Sequence, residues 1–190
     1  MNRNSVVLLL MAAALAGAPT IALAQQPVQE MGAAPKSDDL IKALTPGAPA
    51  AGQLQVRGLR LLNANPGGAD KPAAAQTPAV ALDIRFGLGS ADLTDGAKQV
   101  IAQLAKAINS DQLSKYNFRV EGHTDSTGKP DANMILSQRR AEAVKAYLVS
   151  NYGVASDRLT AVGRGQEEPL DAAHPASGVN RRVQVVNLNG

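Results

Sequence analysis

The order of two apolar periodicities after residue 79 constrains the fold more than any other feature of this sequence. Residues 80–86 alternate between apolar and other side chains, which indicates a strand with one buried face. Residues 94–108 then place apolar residues at helical spacing behind Thr94, a favourable N-cap. The same pair of patterns recurs, and two further strands close the chain. The sequence predicts strands at 80–86, 118–123, 158–163 and 182–188 and helices at 94–108 and 133–150.

This βαβαββ order predicts an α/β fold. Helices that alternate with strands pack on the sheet that the strands form. Because there are only two long helices, both can cover the same face, so we expect a two-layer sandwich of a mixed sheet and helices. The predicted domain covers 80–190, which is enough chain for a modest core.

The first 24 residues are typical of a secretory signal peptide. Arg3 precedes an unbroken run of small and apolar residues from Val6 to Ala18, and Ala22-Leu23-Ala24 offers a cleavage site. The alternative is a membrane anchor, but the run is shorter than the roughly 20 residues that span a bilayer. We therefore expect export and cleavage, with the product in the periplasm.

Residues 25–79 are rich in Ala, Gly and Pro, a composition typical of a flexible linker. A short helix is predicted at 37–44, with Ser37 as its N-cap and Pro46 just beyond its end. The alternative for residues 46–78 is that they dock on the domain as an appendage.

The composition excludes several classes of function. The formal net charge is +3, and no block of Lys or Arg is interleaved with aromatic residues, so nucleic-acid binding has little support. There is no cysteine, so neither a disulfide nor a cysteine-ligated metal is available. We expect no cofactor and no metal.

Arg140 lies on the apolar stripe of the second long helix. It is four residues from both Leu136 and Val144, so the three side chains share one face. A guanidinium among apolar neighbours needs partners, because an unpaired buried charge costs several kcal/mol. A structural ion pair or a side chain that reaches out to solvent at the edge of the stripe would also explain it.

The loop before this helix carries further polar groups. Asp125 follows the end of a predicted strand, a common place for a binding residue. Thr127 adds a hydroxyl group, and Asn133 adds an amide unless it only caps the helix. A carboxylate and a guanidinium around a small polar site suit a zwitterion, since Asp125 would bind an ammonium and Arg140 a carboxylate.

These residues resemble the signature of OmpA-like C-terminal domains, a module shared with peptidoglycan-associated lipoproteins and flagellar stator B subunits. The resemblance covers about Leu82 to Leu188. It rests on four segments in the same order: Gly122-His123-Thr124-Asp125, Asn133, Leu136-Ser137 with Arg140-Ala141, and Asn180-Arg181-Arg182-Val183.

The resemblance implies noncovalent binding of peptidoglycan through the meso-diaminopimelate of its stem peptide. The family's ligating Asp and Arg fall on Asp125 and Arg140. Its supporting positions fall on Thr127, Asn133, Leu136 and, for a backbone contact, Leu88 or Gly89. Gly89 stands where many relatives have an Asp, which weakens that last assignment. Asn180 and Arg182 are expected to close the sheet beside the site.

The implied protein is a non-catalytic anchor or organiser of the bacterial envelope, associated with the cell wall and the outer membrane. Its N-terminal segment would be available to outer-membrane or other envelope proteins. One alternative is a metal-dependent peptidoglycan hydrolase, with ligands drawn from His123, His174, Asp125 and Glu121. Another is a protein-interaction domain whose pocket no longer functions.

Overall fold

A computed structural model of the chain describes residues 34–47, 59–61, 77–87 and 89–189, and for 59–61 only the backbone. The predicted signal peptide and most of the predicted linker lie outside these residues. No helix within the described ranges is both long enough and apolar enough to cross a membrane.

The predicted order of elements is confirmed, with two additions before it. The helices are α1 (Ser37–Leu44), α2 (Asp95–Ile108) and α3 (Pro130–Tyr152), and the strands are β1 (Leu59–Leu61), β2 (Ala79–Leu82), β3 (Phe118–His123), β4 (Leu159–Gly165) and β5 (Val183–Asn187). The first predicted strand is shorter than expected, because regular pairing ends at Leu82 and only an isolated bridge from Phe86 to Leu93 follows.

The strands form one mixed sheet in the order β1-β2-β5-β3-β4. The last strand, β5, lies in the middle and pairs antiparallel with both β2 and β3. β3 and β4 are parallel and are joined by α3, so residues that follow β3 emerge at the opposite end of the sheet from residues that precede β4. Asp125 therefore lies at one end of the domain and Arg158 at the other.

The apolar core lies between the sheet and the helices, as the predicted fold class requires. The alternation predicted in the first strand holds for Val80 and Leu82, which are fully buried in this core. The predicted exposed face is confirmed at Asp83 and Arg85 and is wrong at Ala81, which is buried together with Ala79. β2 has a paired strand on each side, and an alanine side chain is a single methyl group that its neighbours readily cover.

Two segments from the predicted linker belong to the folded domain. α1 spans the predicted range, and Leu40, Ala43 and Leu44 are buried in the core. Asn187 Nδ2 donates a 2.8 Å hydrogen bond to the carbonyl oxygen of Leu44, and β1 adds a strand to the edge of β2. The predicted helix is thus part of the domain, and β1 follows the alternative of a docked segment for its part of 46–78. Ser37 is not the N-cap; Lys36 is, without a side-chain bond.

Two glycines let α3 approach the sheet closely. A Cβ atom at Gly122 would lie 2.2 Å from the carbonyl oxygen of Ser137, and one at Gly163 would lie 2.6 Å from the amide nitrogen of Gln138. Both distances are impossible for a real side chain, so these glycines permit the helix to lie directly on β3 and β4. Arg140, less than one turn farther along, takes its position from this contact.

Side chains of α3 also complete the backbone bonding of β4, which is an edge strand. Ser137 Oγ accepts a hydrogen bond from Gly165 N at 2.9 Å, and Gln138 Oε1 accepts one from Gly163 N at 2.6 Å. Lys145 Nζ donates to the carbonyl oxygen of Leu159 at 2.6 Å. These bonds fix the register of α3 against the sheet and satisfy backbone groups that an edge strand leaves unpaired.

α3 begins three residues before its predicted start. Pro130 is its first residue, and Lys129 is the N-cap; proline suits this place, because the first turn needs no amide donor and the ring presets the backbone. The helix ends at Gly153, whose φ of 64° is left-handed and favours glycine. Asn133 is consequently inside the helix and is not a cap.

Candidate functional site

Asp125 lies two residues beyond β3 with its carboxylate held on both oxygens. Oδ1 accepts hydrogen bonds from the Thr127 amide nitrogen at 3.0 Å and from the Thr127 hydroxyl group. Oδ2 accepts a 2.6 Å hydrogen bond from Arg181 Nη1. The side chain is only 7% exposed, so this carboxylate is positioned by its own loop and by one arginine.

The Asp125 carboxylate is ionised at neutral pH despite its burial. Burial alone would raise the pKa of Asp125, but the hydrogen bonds from Thr127 and Arg181 and the charge of Arg181 outweigh it and hold the pKa below its usual range. The carboxylate is therefore a negatively charged hydrogen-bond acceptor.

Arg140 is buried, as its place on the apolar stripe predicts, and is 7% exposed. Its Nε donates to the carbonyl oxygen of Ser90 at 3.0 Å and its Nη2 to that of Gly87 at 3.4 Å. The guanidinium carbon lies 4.9 Å from the centroid of the Phe86 ring, an arrangement that stabilises a cation.

The contacts of Arg140 exclude two alternatives that the sequence left open, a side chain that reaches out to solvent and a structural ion pair. A side chain that reached out to solvent would be exposed, which this one is not. A structural ion pair would place a carboxylate within 4.0 Å, and none of the described residues provides one. The guanidinium is held by two backbone carbonyls and the Phe86 ring. No carboxylate among the described residues lies at contact distance to balance its charge.

Asp125, Arg140 and Arg181 form one electrostatic unit, which we call the Asp125–Arg140 site. Burial lowers the pKa of Arg140, the charge of Arg181 lowers it further, and the charge of Asp125 raises it. The buried cation thus lies within electrostatic reach of both other groups.

Asn133 ties the loop of the site to α3. Its Nδ2 lies within hydrogen-bond distance of the carbonyl oxygens of Asp125 (3.3 Å) and Thr127 (2.9 Å) and of Gln166 Oε1 (2.8 Å). The structure therefore gives Asn133 a positioning contact with the loop.

The remaining predicted residues are less completely defined. Leu136 is half-buried, four residues before Arg140 on α3. Gly89 is exposed with a φ of 63°, in the loop whose Gly87 and Ser90 carbonyls bind Arg140. Leu88 lies outside the described residues. Hydrogen bonds join Asp125, Thr127 and Asn133, and Arg140 lies close enough for its pKa to respond to the charge of Asp125. The ligand contacts of all the predicted residues, including Leu88, Gly89 and Leu136, stay predictions.

The residue that the sequence reasoning missed is Arg181. The segment Asn180-Arg181-Arg182-Val183 contains it, and no role is predicted for it there. A signal was present, because neighbours in an extended chain point in opposite directions: Arg182 is buried, whereas the side chain of Arg181 is 55% exposed and reaches Asp125.

Asn180 and Arg182 have the structural roles expected of them. The fully buried Asn180 side chain accepts from Asp171 N and donates to carbonyl oxygens of the same loop. Arg182 Nη2 donates to the carbonyl oxygen of Glu168 at 3.1 Å. Together they hold the chain before β5 against the sheet.

A second polar cluster, Glu121, His123 and Glu168, offers potential metal ligands within 4.8 Å of one another. Glu121 Oε1 already accepts from Arg119 Nε at 2.6 Å and from Arg164 Nη2 at 2.8 Å. The surrounding guanidinium groups would repel a metal dication.

His123 is buried in this cluster, and neither ring nitrogen has a hydrogen-bond partner among the described residues, although Nε2 lies 4.0 Å from Glu121 Oε2. Burial and the charge of Arg182 lower its pKa to about 3, so the ring is neutral at neutral pH. The ligand set considered for a hydrolase is not assembled, because Asp125 bonds to Thr127 and Arg181, and His174 is exposed and pairs with Asp171.

Comparisons with known proteins identify the class to which this fold and site belong. Residues 85–182 match the model of the OmpA family, and the chain is a member of that family. This confirms the resemblance found in the sequence, and the family match includes the whole Asp125–Arg140 site.

Individual relatives are of two kinds. The chain is 38% identical over 115 residues to outer membrane porin F of Pseudomonas aeruginosa, covering 60% of this chain and 32% of the porin. It is 36% identical over 133 residues to a peptidoglycan-associated lipoprotein of Mesorhizobium japonicum, covering 68% of this chain and 77% of the lipoprotein. The chain thus spans about a third of the first relative and most of the second.

Among solved structures, the chain is similar to the OmpA-like domain of FopA1 from Francisella tularensis. The TM-score is 0.51 at 26% identity, over 57% of this chain and 71% of that one. The two-layer α/β architecture is therefore that of an OmpA-like domain.

Proposed function

We propose that this protein binds peptidoglycan noncovalently and thereby anchors or organises the bacterial envelope from the periplasm. The observation that carries the proposal is the buried Arg140 without a carboxylate at contact distance, within electrostatic reach of the ionised Asp125. Similarity to a lipoprotein named for its association with peptidoglycan supports the same ligand.

The proposed ligand group is the distal end of meso-diaminopimelate, where one carbon carries an ammonium and a carboxylate. Asp125 would accept hydrogen bonds from the ammonium. Arg140 would bind the carboxylate, in exchange for part of its bonding to the Gly87 and Ser90 carbonyls. Charge-assisted hydrogen bonds of this kind are roughly twice as strong as neutral ones.

The supporting residues would act on the geometry of these two groups. Thr127 and Asn133 hold the Asp125 loop in place, and Leu136 would pack against the aliphatic part of the ligand. Leu88 or Gly89 would supply the backbone contact. We expect modest, reversible affinity, because the contact area is small and two charged groups must lose water.

Co-sedimentation with purified sacculi tests the proposal. The full chain should sediment with sacculi that contain diaminopimelate and much less with sacculi that contain lysine, which lacks the distal carboxylate. Free meso-diaminopimelate should compete, whereas equal concentrations of 1,5-diaminopentane, the same chain without its two carboxylates, should not. Equal sedimentation with both wall types would contradict recognition of the zwitterion.

A further inference from the structure

The Arg181 side chain occupies the place at Asp125 that a ligand ammonium would need. Both Thr127 donors bond to Oδ1, so Oδ2 is the oxygen left for a ligand. Arg181 Nη1 lies 2.6 Å from that Oδ2 atom. A ligand cation would therefore have to share or replace this bond.

The structure holds the backbone of Arg181 firmly but leaves its side chain accessible. The preceding turn, Gly178–Asn180, is anchored by the fully buried Asn180. The Arg181 side chain is itself 55% exposed. A long charged side chain on a fixed backbone can rotate into water without moving the loop.

The Arg181 guanidinium packs against Gly178. A Cβ atom at Gly178 would lie 2.7 Å from Arg181 Nη2, so any other residue there would disturb the resting position of this side chain. Because that nitrogen is the far end of a flexible side chain, the guanidinium can also leave this position at little cost.

The charges of the site also favour displacement of Arg181 by a zwitterionic ligand. With Arg181 in place, the site contains two cations and one anion, and the two cations repel each other, since the charge of Arg181 lowers the pKa of Arg140. When Arg181 moves out, one cation and one anion remain, which is the complement of a zwitterion.

We propose that Arg181 is a latch that occupies the ammonium position of the empty site and is displaced when a zwitterionic ligand binds. This inference rests on the proposed function and adds a competing internal cation to it. The latch satisfies the buried Asp125 carboxylate in the empty protein, and only a ligand with its own ammonium can replace that contact. A ligand with a carboxylate alone would leave the latch closed.

Titration calorimetry of the full chain with a diaminopimelate-containing muropeptide tests this exchange. Arg181→Gln removes the competing charge and should tighten binding about two- to fivefold, the range expected for loss of one partly exposed ion pair. Arg181→Lys keeps a cation near Asp125 and should bind within about twofold of wild type. In an Asp125→Asn background, Arg181→Gln should bring no gain. Circular dichroism checks that each variant is folded.

The outcomes separate the latch from the proposed function. Weaker binding by folded Arg181→Gln would mean that Arg181 contacts the ligand, and unchanged binding would mean that it does not compete; either result overturns the latch. If folded wild-type protein does not bind the muropeptide, or if Arg140→Ala binds as wild type does, the proposed function fails, and the latch fails with it.

Discussion

Arg140 and Arg158 lie in different parts of the domain and make the same kinds of contact. The Arg140 guanidinium carbon lies 4.9 Å from the Phe86 ring centroid, and that of Arg158 lies 5.8 Å from the Phe118 ring centroid. Both side chains donate to backbone carbonyls, and burial lowers the pKa of both. The Arg158 acceptors are the carbonyl oxygens of Ile108, Leu113 and Tyr116.

The two arginines differ in the charges around them. Among the described residues, the charge that affects the pKa of Arg158 is that of its sequence neighbour Asp157. Its three hydrogen bonds tie the end of α2 and the loop after it to the start of β4. Arg140 faces Asp125 and Arg181 across a loop held by Thr127 and Asn133. Burial and bonds to carbonyls therefore do not distinguish the two arginines. The difference is that Arg140 is influenced by a carboxylate and a second arginine from distant parts of the chain, whereas the carboxylate near Arg158 is its sequence neighbour.

The strongest test of this comparison is the pair Arg140→Ala and Arg158→Ala in the sacculus assay. Removing one partner of a buried charged contact costs several kcal/mol, so Arg140→Ala should reduce affinity by about 100-fold or more. Arg158→Ala, at the opposite end of the sheet, should bind within about twofold of wild type once corrected for the folded fraction. Wild-type affinity in folded Arg140→Ala would assign Arg140 to structure alone.

The two substitutions should have the opposite order of effect on stability, with Arg158→Ala more destabilising than Arg140→Ala. Arg158→Ala leaves three carbonyl oxygens without their donor, and we expect the free energy of unfolding to fall by about 2 to 3 kcal/mol. Arg140→Ala leaves only two carbonyl oxygens without a donor and removes the more deeply buried of the two cations, so its loss should be smaller. Urea denaturation of both variants measures the difference, and a larger loss for Arg140→Ala would contradict it.

Acid should lower the free energy of unfolding of the domain, because His123 is buried in a neutral state. Its folded pKa of about 3 lies below the unfolded value of 6.5. Between these values the unfolded chain binds a proton that the folded chain does not, so stability falls as pH falls below 6.5. The contribution is absent above that pH, and the loss between pH 7 and pH 5 should be about 2 kcal/mol.

Urea denaturation at several pH values measures this loss, and a substitution at each histidine assigns it. His123→Gln should flatten the dependence between pH 7 and pH 5, whatever its effect on absolute stability. The matched His174→Gln variant, at an exposed residue, should keep most of it. An unchanged slope in His123→Gln would remove His123 as the cause.

The smallest expected effect is that of Arg140→Lys, which separates the charge of Arg140 from the shape of its guanidinium. Arg140→Lys keeps the charge but loses the planar, two-pronged donor, so binding should weaken by about tenfold. Arg158→Lys should leave binding unchanged in the same assay. Equal binding by Arg140→Lys and wild type would show that charge alone is sufficient.

Local patterns predicted the long elements well because each depends mainly on nearby residues. Thr94 caps α2 as expected, with its side chain accepting from Ala97 N, and β3 has the predicted bounds. The start of α3 was wrong because Pro130 and Lys129 outweighed Asn133 as a signal. The buried arginine was located correctly, but its partners are carbonyls from a loop about 50 residues earlier, and no local pattern reports them.

The sequence by itself determined the class of fold, the position of Arg140 on a buried face and the position of Asp125 after a strand, since side-chain periodicity and strand ends are local properties. Only the tertiary structure decided that β5 lies in the middle of the sheet, that α1 and β1 join the domain, and that Arg181 bonds to Asp125. These features join residues far apart in the chain, and their stability depends on surfaces that exist only once the chain has folded.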